Sequence, residues 1–152
     1  MPMMNLFEPA TAAGIQDRLA RVHHDSPRLW GKMTAPQALA HCSVVLEMAV
    51  GDKNPPRSLI GRLIGPMVKK LVTRNDALFG KNAPTSPEMV IADSRELEPE
   101  RARLRTLIDR FAGGGRTGCT TNAHTFFGRM TPDEWSILMY KHLDHHLRQF
   151  SA

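Results

Sequence analysis

The last helix of the chain is predicted over Thr131–Phe150, TPDEWSILMYKHLDHHLRQF. Thr131 stands at the N-cap, a proline follows at the first helical position and Glu134 occupies N3, which is typical of a helix N-terminus. Apolar residues recur on one helical face at Trp135, Leu138, Met139, Leu143 and Phe150. His142 and His146 lie on that same face, about 40° apart. The stretch therefore predicts an amphipathic helix that carries two imidazoles into a core.

Four further segments have helical patterns, and no segment has a convincing strand pattern. They cover residues 9–23, 34–50, 58–73 and 94–111. The second begins with TAPQ at Thr34, a capping-box arrangement. Gly61, Gly65 and Pro66 predict a kink or break in the third, and Gly113–Gly115 are expected to end the fourth. Five helical segments without strands predict an all-α protein, a four-helix bundle with an extra short or kinked helix.

The composition is that of an ordinary globular chain. Its 152 residues, 41% hydrophobic and 23% charged, suit one domain over residues 1–152. No run of about 18 apolar residues occurs, so neither a membrane span nor a membrane partner is expected. The N-terminus lacks the pattern of a secretory signal, which favours the cytoplasm. Cys42 and Cys119 have no C-x-x-C spacing, and free thiols fit a reducing compartment.

The positive charge of the chain does not point to nucleic acid. The formal net charge is +5 and the isoelectric point is about 9.7, but the cations are dispersed and mixed with carboxylates. Aromatic residues are 6% of the chain, and none is interleaved with the basic stretches where it would stack on bases. Nucleic-acid binding is therefore not expected.

A third histidine lies on the second helix. His41 points inward with Val45 and Met48, near the edge of the apolar side. Brought opposite His142 and His146, it would complete a set of three neutral imidazoles with one open position, which is typical of a catalytic divalent metal site. A buried imidazole can instead be satisfied by hydrogen bonds, so a non-catalytic bundle that binds a ligand or partner stays open.

Several neighbouring residues were weighed for supporting roles. Gln149 is a candidate hydrogen-bond partner for a ligand, Tyr140 is expected to pack, and Glu47 contributes only if it turns inward. His145 is expected to be solvated or to support a ligand. His124 is expected on an exposed loop, with an approach to the site from that loop as the alternative. These five positions carry no assigned catalytic role.

A cysteine nucleophile is a further alternative. Cys42 follows His41 directly, but adjacent helical side chains diverge by about 100°, so the two cannot pair. His142 or His146 would have to act as the base. The apolar neighbours predicted around Cys42 raise a thiol pKa, which disfavours this chemistry.

Three segments resemble a domain-of-unknown-function subgroup of the DinB-like (DinB/YfiT) superfamily of metal-dependent helical-bundle proteins. They are LWGKMTAPQALAHC at 29–42, HTFFGRMTPDEW at 124–135 and YKHLDHHLRQF at 140–150. The resemblance implies an up-down-down-up four-helix bundle, frequent homodimers, and a divalent ion, Zn²⁺ or Ni²⁺, held by His41, His142 and His146. It also implies a small-molecule substrate and thiol-dependent transfer with a low-molecular-weight thiol cosubstrate. Residues 51–93 match no motif of the superfamily.

Overall fold

A computed structural model describes residues 2–152 and contains five α-helices. They are α1 (Pro9–Ala20), α2 (Ala35–Ala49), α3 (Leu59–Thr73), α4 (Leu97–Gly118) and α5 (Pro132–Gln149), with a short 3-10 helix at Pro87–Met89. No strand occurs in the described part of the chain, which has one isolated bridge between His124 and Gly128. The all-α prediction is confirmed for these residues.

The core is built around α2. This helix packs against α4, α5 and the 3-10 helix, and α1 packs against α4 and α5. Thirteen of the fifteen residues of α2 are buried, so the helix is enclosed on nearly all sides rather than along one stripe. His41 is buried for this reason, although the sequence placed it at the edge of an apolar side.

Two capping boxes fix the starts of the helices that carry the histidines. The Thr131 hydroxyl accepts from the Glu134 amide at 3.1 Å, and the Glu134 carboxylate accepts from the Thr131 amide at 2.9 Å. Thr34 and Gln37 form the same reciprocal pair at the start of α2. Each box satisfies two backbone donors that a helix start leaves unpaired. Both predicted N-termini are confirmed.

Other predicted boundaries are wrong by several residues. α1 ends at Ala20 rather than His23, and α4 begins at Leu97 rather than Ser94. The prediction that the glycines end α4 is supported in part: Gly115, with φ 58° and ψ −156°, is non-helical and puts a kink in the range Leu97–Gly118, with only residues 116–118 beyond it. Glycine adopts a positive φ without the steric penalty that a Cβ brings.

α3 is continuous through Pro66, so the predicted break does not occur, and the alternative of a kink stays a prediction. Pro66 is exposed, and the carbonyl that it cannot pair belongs to Arg62, which is also exposed. Among the helices of the described chain, α3 contacts only α5. None of the described helices combines the length and apolar character that crossing a membrane requires.

Candidate metal centre

Three histidine rings converge between α2 and α5. His41 comes from the middle of α2, and His142 and His146 stand one turn apart on α5. His41 Nε2 lies 2.9 Å from His142 Nε2, and one ring nitrogen from each histidine lies within 4.8 Å of the other two. The structure therefore brings together all three residues that the sequence selected, from helices about a hundred positions apart.

The tautomer of His41 is fixed by a backbone carbonyl. Its Nδ1 lies 2.8 Å from the Met89 carbonyl oxygen in the 3-10 helix. A carbonyl oxygen only accepts, so Nδ1 carries the hydrogen and Nε2 keeps its lone pair. That lone pair points toward His142. Metal-binding histidines are commonly held in this way, by a partner on the ring nitrogen that faces away from the ion.

Gln149 fixes His146 in the same manner. His146 Nδ1 donates to Gln149 Oε1 at 2.8 Å, and Gln149 Nε2 donates to the Trp30 carbonyl at 2.9 Å. The second bond orients the amide, so its oxygen must face the histidine. Gln149 is 2% exposed, which makes this chain of bonds part of the core. His146 Nε2 is left with its lone pair, and the supporting role predicted for Gln149 agrees with these contacts.

All three imidazoles are neutral near pH 7. Burial lowers the pKa of His41, and burial together with the nearby His41 ring lowers the pKa of His146 to about 3. Desolvation, and then His146 and His41, bring the pKa of His142 well below its usual value. Neutral rings are what metal coordination needs, because a protonated nitrogen has no lone pair to give.

The donor set fits a divalent transition ion. Three imidazoles suit zinc, nickel or copper rather than magnesium or calcium, which prefer oxygen ligands. Nitrogens sharing a tetrahedral ion at about 2.05 Å lie roughly 3.3 Å apart. The 2.9 Å between His41 and His142 is slightly shorter, and all three nitrogens lie within 4.8 Å of one another, so adjustment of the side chains would bring them to an ion. His142 is only partly buried, so it is the most exposed of the three ligands.

Comparison with protein families matches residues 11–152 to DUF1569, described as a protein of unknown function. The chain belongs to this family. No curated protein and no solved structure matches it. The match supports our expectation that the chain belongs to a domain-of-unknown-function family. Membership of the DinB-like superfamily stays a prediction. DUF1569 brings no function with it, so function rests on the site.

His124 does not lie on an exposed loop in this DUF1569 chain; that prediction is wrong. It is 5% exposed, and its Nδ1 accepts from the backbone amides of Phe126 and Phe127 at 3.0 and 3.1 Å. Its ring packs against Trp135. Burial, and then the charge of Arg57, lower the pKa of His124 to about 4. The imidazole holds a tight turn together and is not among the three clustered rings.

The remaining candidates lie apart from the cluster or at its rim. His145 is half-buried, with its ring 5.0 Å from that of His146 and 5.2 Å from that of Trp30. Glu47 does not turn inward: it pairs with Arg103 at 2.6 Å and Lys53 at 2.8 Å.

Cys42 is buried, and burial raises the pKa of its thiol. A thiolate is therefore disfavoured, which counts against a nucleophile at this position. Tyr140 is half-buried on α5, and its pKa is raised by burial and by Asp144. Neither side chain offers a charged group to the cluster at neutral pH.

Sequence analysis did not identify Met89 as a partner of His41. A backbone carbonyl has no residue-type signature, and Met89 lies in the proline-rich stretch that matched no motif.

Proposed function

We propose that the chain binds one divalent transition metal ion, Zn²⁺ or Ni²⁺, through His41, His142 and His146, and is a metal-dependent enzyme that acts on a small molecule. The observation that carries this proposal is the anchoring of two rings. Met89 and Gln149 each hold an Nδ1–H, so two Nε2 lone pairs are fixed before any ion arrives. Pre-oriented, neutral imidazoles are expensive to maintain in a core without a ligand for them.

A substrate would meet the metal on the side of His142, the most exposed of the three ligands. A bound divalent ion supplies Lewis acidity and lowers the pKa of a coordinated thiol or water toward neutrality. His41 and His146 are buried and close the site from within, while partly exposed His142 borders solvent. Thiol-dependent transfer with a low-molecular-weight thiol is the reaction class that the DinB-like resemblance favours.

The resemblance also supports finer proposals about the fold. Helices α1, α2, α4 and α5 would form the up-down-down-up four-helix bundle of one domain, with α3 as the extra helix, and the protein would form homodimers. Cys42 and Cys119 are free thiols, in keeping with a reducing compartment, and we place the protein in the cytoplasm.

A second candidate is a non-catalytic bundle whose histidines satisfy one another. The contact of 2.9 Å between the Nε2 atoms of His41 and His142 favours it, because His142 Nε2–H would donate to the lone pair of His41. In that case the imidazoles specify packing rather than coordination, and the protein would bind a ligand or partner elsewhere.

Metal content and thermal unfolding separate the two candidates. The protein is purified without a histidine tag, stripped with chelator and titrated with Zn²⁺ or Ni²⁺. At a free metal concentration of 100 times Kd, binding adds about 2.7 kcal/mol, which corresponds to a rise in Tm of about 5–11 °C for a chain of this size. Elemental analysis is expected to give one ion per chain.

His142→Ala is the matched test, because His142 is the least buried ligand and its loss disturbs the core least. The variant is expected to fold, to lose the metal and to lose the Tm rise. His24→Ala, at an exposed histidine, is the control and is expected to behave as wild type. A wild type that stays metal-free and indifferent to added ions, with His142→Ala merely less stable, would establish the second candidate.

A further inference from the structure

α3 turns an apolar side toward solvent. Its exposed apolar residues are Leu59, Ile60, Leu63, Ile64, Met67 and Leu71, here called the α3 stripe. Leu63 is 84% exposed and Met67 is 62% exposed. At about 100° per residue, the six side chains fall within one arc of roughly 140°. A contiguous exposed apolar patch of this kind is uncommon on a protein surface and marks an interaction site.

The opposite side of α3 is fixed, so the helix cannot roll to bury the stripe. Gly61 and Gly65 lie against the backbone of Phe126, and a Cβ at either glycine would overlap the Phe126 carbonyl oxygen. Lys69 donates to the Arg129 carbonyl at 2.9 Å. Lys141 on α5 donates to two carbonyls at the end of α3, at 2.9 and 3.0 Å. The stripe is therefore held outward by close backbone contact and by three hydrogen bonds.

The charge around the stripe has one sign. Residues 53–75 contain six lysines and arginines and no aspartate or glutamate. Arg62, Lys70 and Arg74 are exposed, and none of them takes part in an ion pair within residues 2–152. On the helix, Lys70 falls inside the arc of the stripe and Arg62 falls beside it. Long basic side chains in these positions can extend from an apolar layer to a layer of anionic groups.

We propose that the α3 stripe docks on an anionic lipid surface. The helix would lie in the plane of the interface, with its leucines and isoleucines at the acyl boundary and its cations at the phosphates. A second copy of the chain is the poorer occupant: pairing two stripes would bring Lys70 and Arg74 of each copy against a stretch with no carboxylate. This surface is separate from the histidine cluster. It revises the expectation of no membrane partner, which rested on the lack of a spanning segment.

Vesicle co-sedimentation of the full chain tests the proposal. Vesicles of phosphatidylcholine alone are compared with vesicles that also contain phosphatidylglycerol. Binding is expected only to the anionic vesicles and is expected to weaken as salt shortens the screening length. Lys70→Gln is expected to weaken binding about fivefold, since each cation near such a surface contributes about 1 kcal/mol.

The double variant Leu63→Ser/Met67→Ser is expected to abolish sedimentation with anionic vesicles. Leu78→Ser is the matched control: Leu78 is 64% exposed but lies outside α3, so it should bind as wild type. All of these side chains are exposed, and circular dichroism and Tm should stay unchanged. The proposal is overturned by wild type that ignores anionic vesicles, by equal binding to neutral ones, or by a double variant that still binds. A wild-type dimer that the double variant converts to monomer, without vesicle binding, would assign the stripe to a second copy.

Discussion

Gln149 contributes both to the stability of the core and to the affinity of the proposed metal site. Two replacements of Gln149, compared with each other, separate these two contributions. Gln149→Leu keeps a side chain of similar size but removes both polar atoms. His146 Nδ1–H loses its acceptor and the Trp30 carbonyl loses its donor. We expect weaker metal binding and a less stable metal-free protein from this one change.

The magnitudes follow from the two lost bonds. A buried polar group left without a partner costs about 1–3 kcal/mol, so loss of the His146 acceptor lowers the free energy of unfolding by about that amount, and the Trp30 carbonyl adds less because it is only part-buried. Gln149 is 2% exposed, so water does not replace the lost partners easily. Removing the hydrogen-bond partner of a metal-binding histidine weakens metal affinity by about 10–100-fold.

Gln149→Glu is the matched variant. Its carboxylate still accepts from His146 Nδ1, so the ring stays oriented and becomes a more basic ligand. It cannot donate to the Trp30 carbonyl, and it places a charge in the core, so the metal-free protein is again destabilised. Metal affinity should therefore stay near wild type in Gln149→Glu while stability falls in both variants.

Two assays read the two quantities. Calorimetric titration with Zn²⁺ gives the dissociation constant, and urea unfolding in the presence of chelator gives the free energy of unfolding. Equal Zn²⁺ affinity in wild type and Gln149→Leu would refute the anchoring argument, and so would equally weak binding in the leucine and glutamate variants.

Three further predictions concern other parts of the chain. Burial lowers the pKa of His124 to about 4 in the folded protein, whereas in the unfolded chain it is about 6.5. Between these pH values unfolding takes up a proton, so the free energy of unfolding falls by about 1.4 kcal/mol for each unit by which the pH is lowered. Urea unfolding of the metal-free protein should show a shallower fall in His124→Asn. Gly65→Ala should lower stability by about 1–3 kcal/mol, because its Cβ would overlap the Phe126 carbonyl. Gly113→Ala is the control: a Cβ there meets nothing within 4 Å, so the change should be neutral or stabilising by up to about 1 kcal/mol. A destabilised Gly113→Ala would contradict the packing argument. Cys42 should resist iodoacetamide in native protein and react after unfolding, since burial raises the pKa of its thiol; rapid native labelling would revive the nucleophile alternative.

The starts of α2 and α5 were predictable because their chemistry is local. A capping box needs four consecutive residues, and the pairs Thr34–Gln37 and Thr131–Glu134 both form as the sequence indicated. The convergence of the histidines was predictable because helical periodicity is also local. His142 and His146 lie on the same helical face as the apolar residues of α5, so a helix that packs on that face contacts both rings.

Features that depend on distant parts of the chain were not predictable. His124 looked exposed because loops usually are, but its acceptor nitrogen pairs with two backbone amides of a turn closed by Gly128 at φ 80°. The glycines interrupt α4 at Gly115 as expected, but the sequence did not predict the helical residues that follow the kink. The Met89 carbonyl accepts a hydrogen bond from His41, which lies 48 positions earlier in the chain, and no pattern of residue types predicts such a contact.

The number of N–H groups in the histidine cluster helps to decide whether the cluster binds a metal. Three neutral imidazoles carry three N–H groups, and His41 and His146 direct theirs outward to Met89 and Gln149. His142 has one hydrogen left to offer at Nε2, and His41 Nε2, 2.9 Å away, can accept it. His146 Nε2 then faces the cluster with no donor among residues 2–152. A fourth hydrogen would require a charged ring, which burial and the neighbouring imidazoles disfavour. A divalent ion would bind the lone pairs of His41 and His146 directly, and that of His142 once its ring turns, which is the coordination that we propose.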